Sequence, residues 1–137
     1  MEKLQAIYAE YFKKAADARS KASPFAGVWG MGDDPRKHHC HDAFYEAVEA
    51  WVKEFAPADA EAALEAVKYI LEAALSRRDE DVYWYLYAAQ GLVMPLIPRL
   101  RSEDCKALAQ WYDKAYPRRD RMPVQQNLFK ALKKAGK

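Results

Sequence analysis

The sequence predicts an all-α fold, a bundle of about six helices in a single domain. Apolar residues recur at helical spacing, and no stretch alternates apolar and polar residues as a strand does. Prolines and charged turns divide the chain into segments of helical length. A chain of 137 residues is long enough to bury one core, so we expect residues 1–137 to form one domain.

Periodicity and helix-start signals predict the first two helices. From Glu2 to Ala22, apolar residues are three and four positions apart, which is typical of an amphipathic helix. A glycine-containing loop is expected over residues 23–33. Asp34 is then a suitable N-cap in front of Pro35, so the second helix is expected to extend from Pro35 to about Phe55.

The next two helices are predicted in the middle of the chain. Pro57 or Asp59 begins the third helix. The fourth is expected from Val82 to about Val93. It is apolar or aromatic almost all round, so we place it at the centre of the bundle. Pro95 and Pro98 are expected to end it, because the residue before a proline avoids helical backbone angles.

Two further helices complete the prediction. Ser102 is expected to cap the fifth helix, which continues to Tyr116, and Pro123 begins the sixth, which continues to Ala135. The longest stretch without a charge, residues 82–98, has 17 residues and contains two prolines. A buried core helix explains it better than a membrane span, so we expect no membrane association.

Composition and cysteine count indicate the compartment. Apolar residues make up 51% and charged residues 31% of the chain, which is typical of a soluble globular protein and not of a disordered one. Cys40 and Cys105 are too few for a secreted disulfide framework, and the first residues lack the apolar core of a signal peptide. We expect a cytoplasmic protein with reduced, buried cysteines.

The charges are distributed unevenly along the chain. The formal net charge is +2, but residues 1–94 carry −5 and residues 95–137 carry +7. This asymmetry indicates an anionic partner for the C-terminal third. We predict that the protein is a non-catalytic interaction module whose partner is an acidic protein surface. The predicted partner-binding residues are Arg118, Arg119, Arg121, Gln125 and Gln126.

Other interpretations of residues 95–137, called the basic segment below, remain open. Arginines bind phosphates, and Gln or Asn near a helix start can reach adenine edges, so nucleic acid is a second candidate partner. The six-residue connection between Tyr116 and Pro123 is, however, longer than the turn of a helix-turn-helix motif. The basic segment could instead pair internally with acidic residues over 61–81. A homodimer is a further expected assembly.

The three histidines form one cluster at the start of the second helix. His38, His41 and Asp42 are candidate ligands for a divalent metal, the one cofactor that the sequence suggests. At about 100° per residue, His41 falls among the apolar positions while His38 and Asp42 lie on the polar face. Further ligands would have to come from elsewhere. The alternatives are a metal-binding bundle or metal-dependent enzyme, and a core His41 satisfied by a hydrogen bond.

Aromatic residues make up 13% of the chain, which is generous for a protein of this size. The run from Tyr83 to Tyr87 could line a pocket or fill the core. Because tyrosine and tryptophan favour sites where their polar tip is satisfied, we expect a pocket or an oligomer interface near Trp84 and Trp111.

Overall fold

The computed structural model describes residues 1–21, 35–55, 59–80 and 82–137, with the side chains of 18–21 and 35–39 left aside. Six α-helices account for most of these residues, and no strand occurs among them, which confirms the predicted all-α class. The predicted loop over 23–33 and its Asp34 N-cap lie outside the described residues. The helices are α1 (Glu2–Lys21), α2 (Pro35–Phe55), α3 (Ala60–Ala73), α4 (Tyr83–Ala89), α5 (Ser102–Ala115) and α6 (Pro123–Ala135).

The chain forms two compact units, residues 1–51 and residues 52–137. The first contains α1 and most of α2, and the second contains the other four helices. Three 3-10 segments also belong to the second unit: Leu75–Arg77, Gln90–Arg99 and Arg118–Asp120. That residues 1–137 act as one domain stays a prediction.

Aromatic side chains hold the first unit together. Phe44 of α2 stacks on Tyr11 of α1 with 4.1 Å between ring centroids, and Tyr8 meets Phe44 edge-on at 4.9 Å. Leu4, Tyr8 and Tyr11 are buried at the helical spacing that the sequence indicated. Edge-to-face and offset pairs of this kind each add about 0.5–1.5 kcal/mol beyond the area that they bury.

Helix α3 begins at a side-chain cap. The carboxylate of Asp59 accepts a hydrogen bond from the backbone N–H of Ala62 at 2.8 Å, as expected for an N-cap. The apolar stripe of α3 is fully buried, and it consists of Ala63, Ala66, Val67, Ile70 and Leu71. The predicted start of the third helix at Asp59 is therefore confirmed.

The two prolines do not end the fourth helical segment, so that prediction was wrong. The α-helical hydrogen bonding stops at Ala89, before either proline, and the chain continues as a 3-10 helix from Gln90 to Arg99 through Pro95 and Pro98. Proline fixes φ near −65°, which a 3-10 helix accommodates. This segment packs against α3 and α6. The aromatic-rich helix α4 buries Leu86 and Tyr87 but leaves Trp84 exposed, so only one side of it belongs to the core.

The start of α5 also differs from the prediction. Arg101 is the N-cap, Ser102 is the first helical residue, and no side chain caps this helix. Glu103 and Asp104 lie in the first turn instead, where their charges interact favourably with the helix dipole. Helix α6 begins at Pro123, as expected for proline at the first helical position. Within the described ranges, no helix is long and apolar enough to cross a membrane.

Candidate protein-binding surface

The 3-10 turn between α5 and α6, Arg118–Asp120, carries two of the predicted partner-binding residues, Arg118 and Arg119, and is called the basic turn below. Tyr87 of α4 positions it, because its hydroxyl donates a hydrogen bond to the backbone carbonyl of Asp120 at 2.9 Å. The side chains of Arg118 and Arg119 are exposed. Neither forms an ion pair with any residue that the structure describes. Both guanidinium groups are therefore available at the surface.

Arg121, the third arginine of the predicted site, points into the protein. Its side chain is 2% exposed, its Nε donates to the Tyr116 carbonyl at 2.7 Å, and its terminal nitrogen pairs with Asp113. The guanidinium also lies over the Phe129 ring, 4.2 Å from its centroid. Arg121 thus joins the turn to α5 and α6, and it is not presented to a partner in this conformation.

The two glutamines of the predicted site also differ. Gln125 is 1% exposed, and its Nε2 donates to the backbone carbonyl of Tyr87 at 2.8 Å. Its Oε1 has no hydrogen-bond partner within the described structure. Gln126 is half-buried. The structure therefore leaves Arg118 and Arg119 exposed, whereas Gln125 and Arg121 fix the start of α6 from inside.

A buried tyrosine network lies beneath the basic turn. Tyr112 donates to Oε1 of Gln90 at 2.8 Å, and Tyr116 donates to the carbonyl of Leu71 at 2.8 Å. Gln90 completes the network by donating to the same carbonyl at 3.3 Å. Burial raises the pKa of both tyrosines well above the usual value of 10. These hydroxyls stay protonated, so they act as hydrogen-bond donors that tie α3, α5 and the 90–99 segment together.

Exposed apolar side chains lie next to the basic turn. Trp84 is 63% exposed, Met122 54% and Val124 46%; these three residues are called the Trp84 patch below. The Trp84 ring meets Tyr87 edge-on at 6.3 Å, and a backbone hydrogen bond from Met122 reaches the same tyrosine. Burial is the main cause that raises the pKa of Tyr87, and the hydrogen bond from Met122 lowers that pKa in part. Tyr87 therefore links the tryptophan to the turn.

A pocket or interface was expected near Trp84 and Trp111, and the two residues have different environments. Trp111 is half-buried and lines a concavity of about 250 Å³ between α3 and α5, together with Leu64 and Lys68. Trp84 stands largely in solvent. Whether either residue binds a partner stays a prediction.

Internal pairing of the basic segment is limited. Arg101 lies 3.8 Å from Glu61, but both side chains are largely exposed, so this pair contributes little to stability. Arg121 pairs with Asp113, which belongs to the same C-terminal third of the chain. The acidic residues of α3 do not neutralise Arg118 and Arg119 within the described structure.

A second concave surface lies between α5 and α6. It has a volume of about 470 Å³, with Phe129 and Ala109 in its wall and three lysines around it: Lys106, Lys133 and Lys137. The ammonium group of Lys133 lies 5.4 Å from the centroid of the Phe129 ring, within the range of a cation–π contact. Three positive charges of the C-terminal third therefore surround this groove, with the carboxylate of Asp113 also in its lining.

Two of the three candidate metal ligands have described side chains, and one of these is in the core while the other is at the surface. His41 is 4% exposed, and its Nδ1 is hydrogen-bonded to the Tyr11 hydroxyl at 2.6 Å, whereas Asp42 is exposed. The side chain of His38 lies outside the described residues. Among the described ones, no three His, Cys, Asp or Glu side chains are grouped closely enough to hold a metal ion. A metal site at His38, His41 and Asp42 stays a prediction.

Both cysteines are buried, and they do not form a disulfide with each other. Burial raises the pKa of Cys105, and the nearby carboxylate of Asp104 raises it further. A thiol with a raised pKa is a poor nucleophile at neutral pH, because the thiolate is the reactive form.

Comparison of this chain with models of protein families, with curated proteins and with solved structures finds no match. The site therefore has to be interpreted from its own residues. Sequence reasoning missed the part that Tyr87 has in positioning the turn, since its hydrogen bond spans 33 positions. It also missed Met122 and Val124, because exposure of single apolar residues at a helix start leaves no periodic pattern.

Proposed function

We propose that this protein is a non-catalytic module that binds an acidic protein partner through the basic turn. The observation that carries the proposal is the exposure of Arg118 and Arg119 without an ion pair, on a turn that the Tyr87 hydroxyl holds in place. Arginine is the cation best suited to binding carboxylates, because its planar guanidinium can make two parallel hydrogen bonds.

The rigidity of the turn supports the same proposal. Tyr87 holds the carbonyl of Asp120 and Arg121 holds that of Tyr116, so the backbone is fixed on either side of the two arginines and loses less entropy when a partner binds. The net charge of +7 over residues 95–137 also attracts an acidic surface over a longer range and increases the rate of encounter.

The test measures binding of a fluorescein-labelled peptide in which Glu and Asp flank Leu and Phe, called the acidic–apolar peptide below. We expect the double variant Arg118→Glu, Arg119→Glu to bind it at least about tenfold more weakly than the wild type. The matched control is Lys130→Glu with Lys134→Glu, which changes the net charge equally on exposed positions of α6. This control is expected to bind nearly as well as the wild type.

Two results would contradict the proposal. Equal losses in both double variants would mean that total charge matters and the basic turn does not. Tighter binding of an oligothymidine than of the peptide, with an affinity that falls steeply as salt rises, would favour the nucleic-acid alternative. Circular dichroism of each variant shows whether the helices are retained.

The proposal places this activity in the cytoplasm. Two buried cysteines without a disulfide between them fit a reducing compartment. Measured partition of the full-length protein between cell fractions tests this placement.

A further inference from the structure

We infer that the Trp84 patch is the apolar centre of the same interface, and that the partner presents an apolar side chain flanked by acidic residues. This inference rests on the proposed function. In this interface Trp84 is the buried apolar anchor, and the basic turn forms the charged rim around it. The partner is thus an acidic protein segment with an apolar residue that packs on Trp84.

The contacts of α4 put the tryptophan beside the turn. Trp84, Tyr87 and Gly91 are three and four positions apart and so share one face of the helical segment. The Trp84 ring packs against Tyr87, and the Tyr87 hydroxyl bonds to Asp120. At the other end of this face, a Cβ on Gly91 would lie 2.6 Å from Cγ1 of Val124. The face therefore meets the chain from Asp120 to Val124.

The exposure of Trp84 is unusual in the protein. The structure buries most of its large apolar side chains but leaves 63% of this tryptophan in solvent, with Tyr83 and Tyr87 packed against its ring. Those two contacts restrict the ring without covering it, so the indole loses little entropy when a partner packs on it. A single exposed apolar residue is common on protein surfaces. Trp84 differs because tryptophan and arginine are enriched among the residues that contribute most to protein–protein binding.

Charge complementarity selects the occupant. Arg118 and Arg119 lie without ion pairs among the described residues next to the patch, and the basic turn contains a single acidic residue, Asp120. A neutral apolar surface would leave both arginines without partners. An acidic segment would pair with them, and one apolar side chain on that segment would cover the indole.

The experiment compares two peptides and four proteins: the wild type, Trp84→Ala, Tyr45→Ala and the double variant Arg118→Glu, Arg119→Glu. The second peptide, the acidic–polar peptide, has the same acidic residues as the acidic–apolar peptide but Ser in place of Leu and Phe. We expect the wild type to bind the acidic–apolar peptide about tenfold more tightly than the acidic–polar one. Trp84→Ala is expected to abolish this preference while retaining the weaker charge-driven binding. Tyr45→Ala removes a 41% exposed aromatic ring from the first unit and serves as the matched control.

The outcomes separate this inference from the proposed function. If Trp84→Ala keeps the preference for the apolar peptide while Arg118→Glu, Arg119→Glu loses affinity for both, the inference is wrong and the proposed function stands. If neither peptide binds the wild type, both are wrong. Binding to phosphatidylserine vesicles in place of either peptide would assign the patch to a lipid surface and overturn the inference. Thermal melting of Trp84→Ala, expected within a few degrees of the wild type, excludes unfolding as the cause.

Discussion

Three arginines within four positions have two different environments. Arg118 and Arg119 are exposed, whereas the Arg121 side chain is 2% exposed and lies against Phe129. The sequence shows three equivalent cations, and its charge pattern predicted all three as a binding surface. What separates them is the position of Phe129 and Asp113 on two other helices, and no local pattern contains that information.

The buried arginine is expected to matter for stability. Arg121→Ala removes hydrogen bonds to the Tyr116 carbonyl and to Asp113, and we expect it to lower the free energy of unfolding by about 2 kcal/mol. Arg118→Ala removes an exposed side chain and is expected to change it by less than about 0.5 kcal/mol. Urea unfolding of both variants measures the difference. A loss of stability in Arg121→Ala that is as small as the loss in Arg118→Ala would contradict the stabilising part assigned to the Arg121 contacts.

His41 shows what helical periodicity can and cannot predict. Rotation by 100° per residue placed His41 on the apolar face, and the residue is indeed buried while Asp42 is exposed. The hydrogen-bond partner, Tyr11, lies 30 positions earlier in the chain. A face can be derived from spacing along one helix, but a partner requires the packing of two.

At the scale of elements, the prolines give the clearest difference between sequence and structure. Helix boundaries at Pro35, Asp59 and Pro123 followed from capping rules, because a cap acts within one turn. Pro95 and Pro98 were expected to terminate a helix but lie in a 3-10 segment. Buried neighbours such as Leu96 and Ile97 keep this segment packed on α3 and α6, so tertiary contact outweighs the local preference.

The junction between this segment and α6 makes a second prediction. Gly91→Ala places a methyl group 2.6 Å from Cγ1 of Val124, closer than side chains tolerate, so we expect a loss of about 1 kcal/mol in unfolding free energy. In a Val124→Ala background the same substitution is expected to be neutral or slightly stabilising, because alanine favours helical backbone more than glycine. A double-mutant cycle by urea unfolding measures this coupling. Additive effects would mean that the two residues do not touch.

At the scale of the whole second unit, the buried tyrosines link stability to pH. Burial raises the pKa of Tyr112 and Tyr116 in the folded state, while in the unfolded chain each ionises near pH 10. The unfolded state therefore loses protons that the folded state keeps. The contribution to stability is complete below about pH 10 and declines as the pH rises beyond it.

This linkage is tested by alkaline unfolding. We expect the free energy of unfolding to fall as pH rises above about 10, and the fall to be shallower in Tyr112→Phe, Tyr116→Phe, which lacks both hydroxyls. The double variant is less stable at neutral pH because Gln90 and the Leu71 carbonyl lose a hydrogen bond each. Urea unfolding across this pH range measures both slopes. Parallel slopes would contradict the assigned pKa direction.

The candidate surface could be predicted from the sequence only in part. The charge asymmetry pointed to the C-terminal third, and the structure leaves Arg118 and Arg119 of that region exposed. Residue type alone marked Trp84 as a candidate for a pocket or interface, but its run is apolar on nearly every side, so the sequence did not show that Trp84 is exposed and Leu86 buried. The packing of α4 against α3, together with its hydrogen bond from Gln125 of α6, determines which side of that run faces the solvent.

The most direct test of the central claim is a map of the contact surface by NMR. Titration of the acidic–apolar peptide into the ¹⁵N-labelled protein is followed through backbone amides and tryptophan side chains. We expect the largest shifts at Arg118, Arg119 and Met122 and at the indole N–H of Trp84. Shifts confined to the groove between α5 and α6, or to the first unit, would contradict the claim that the basic turn and the Trp84 patch form the binding surface.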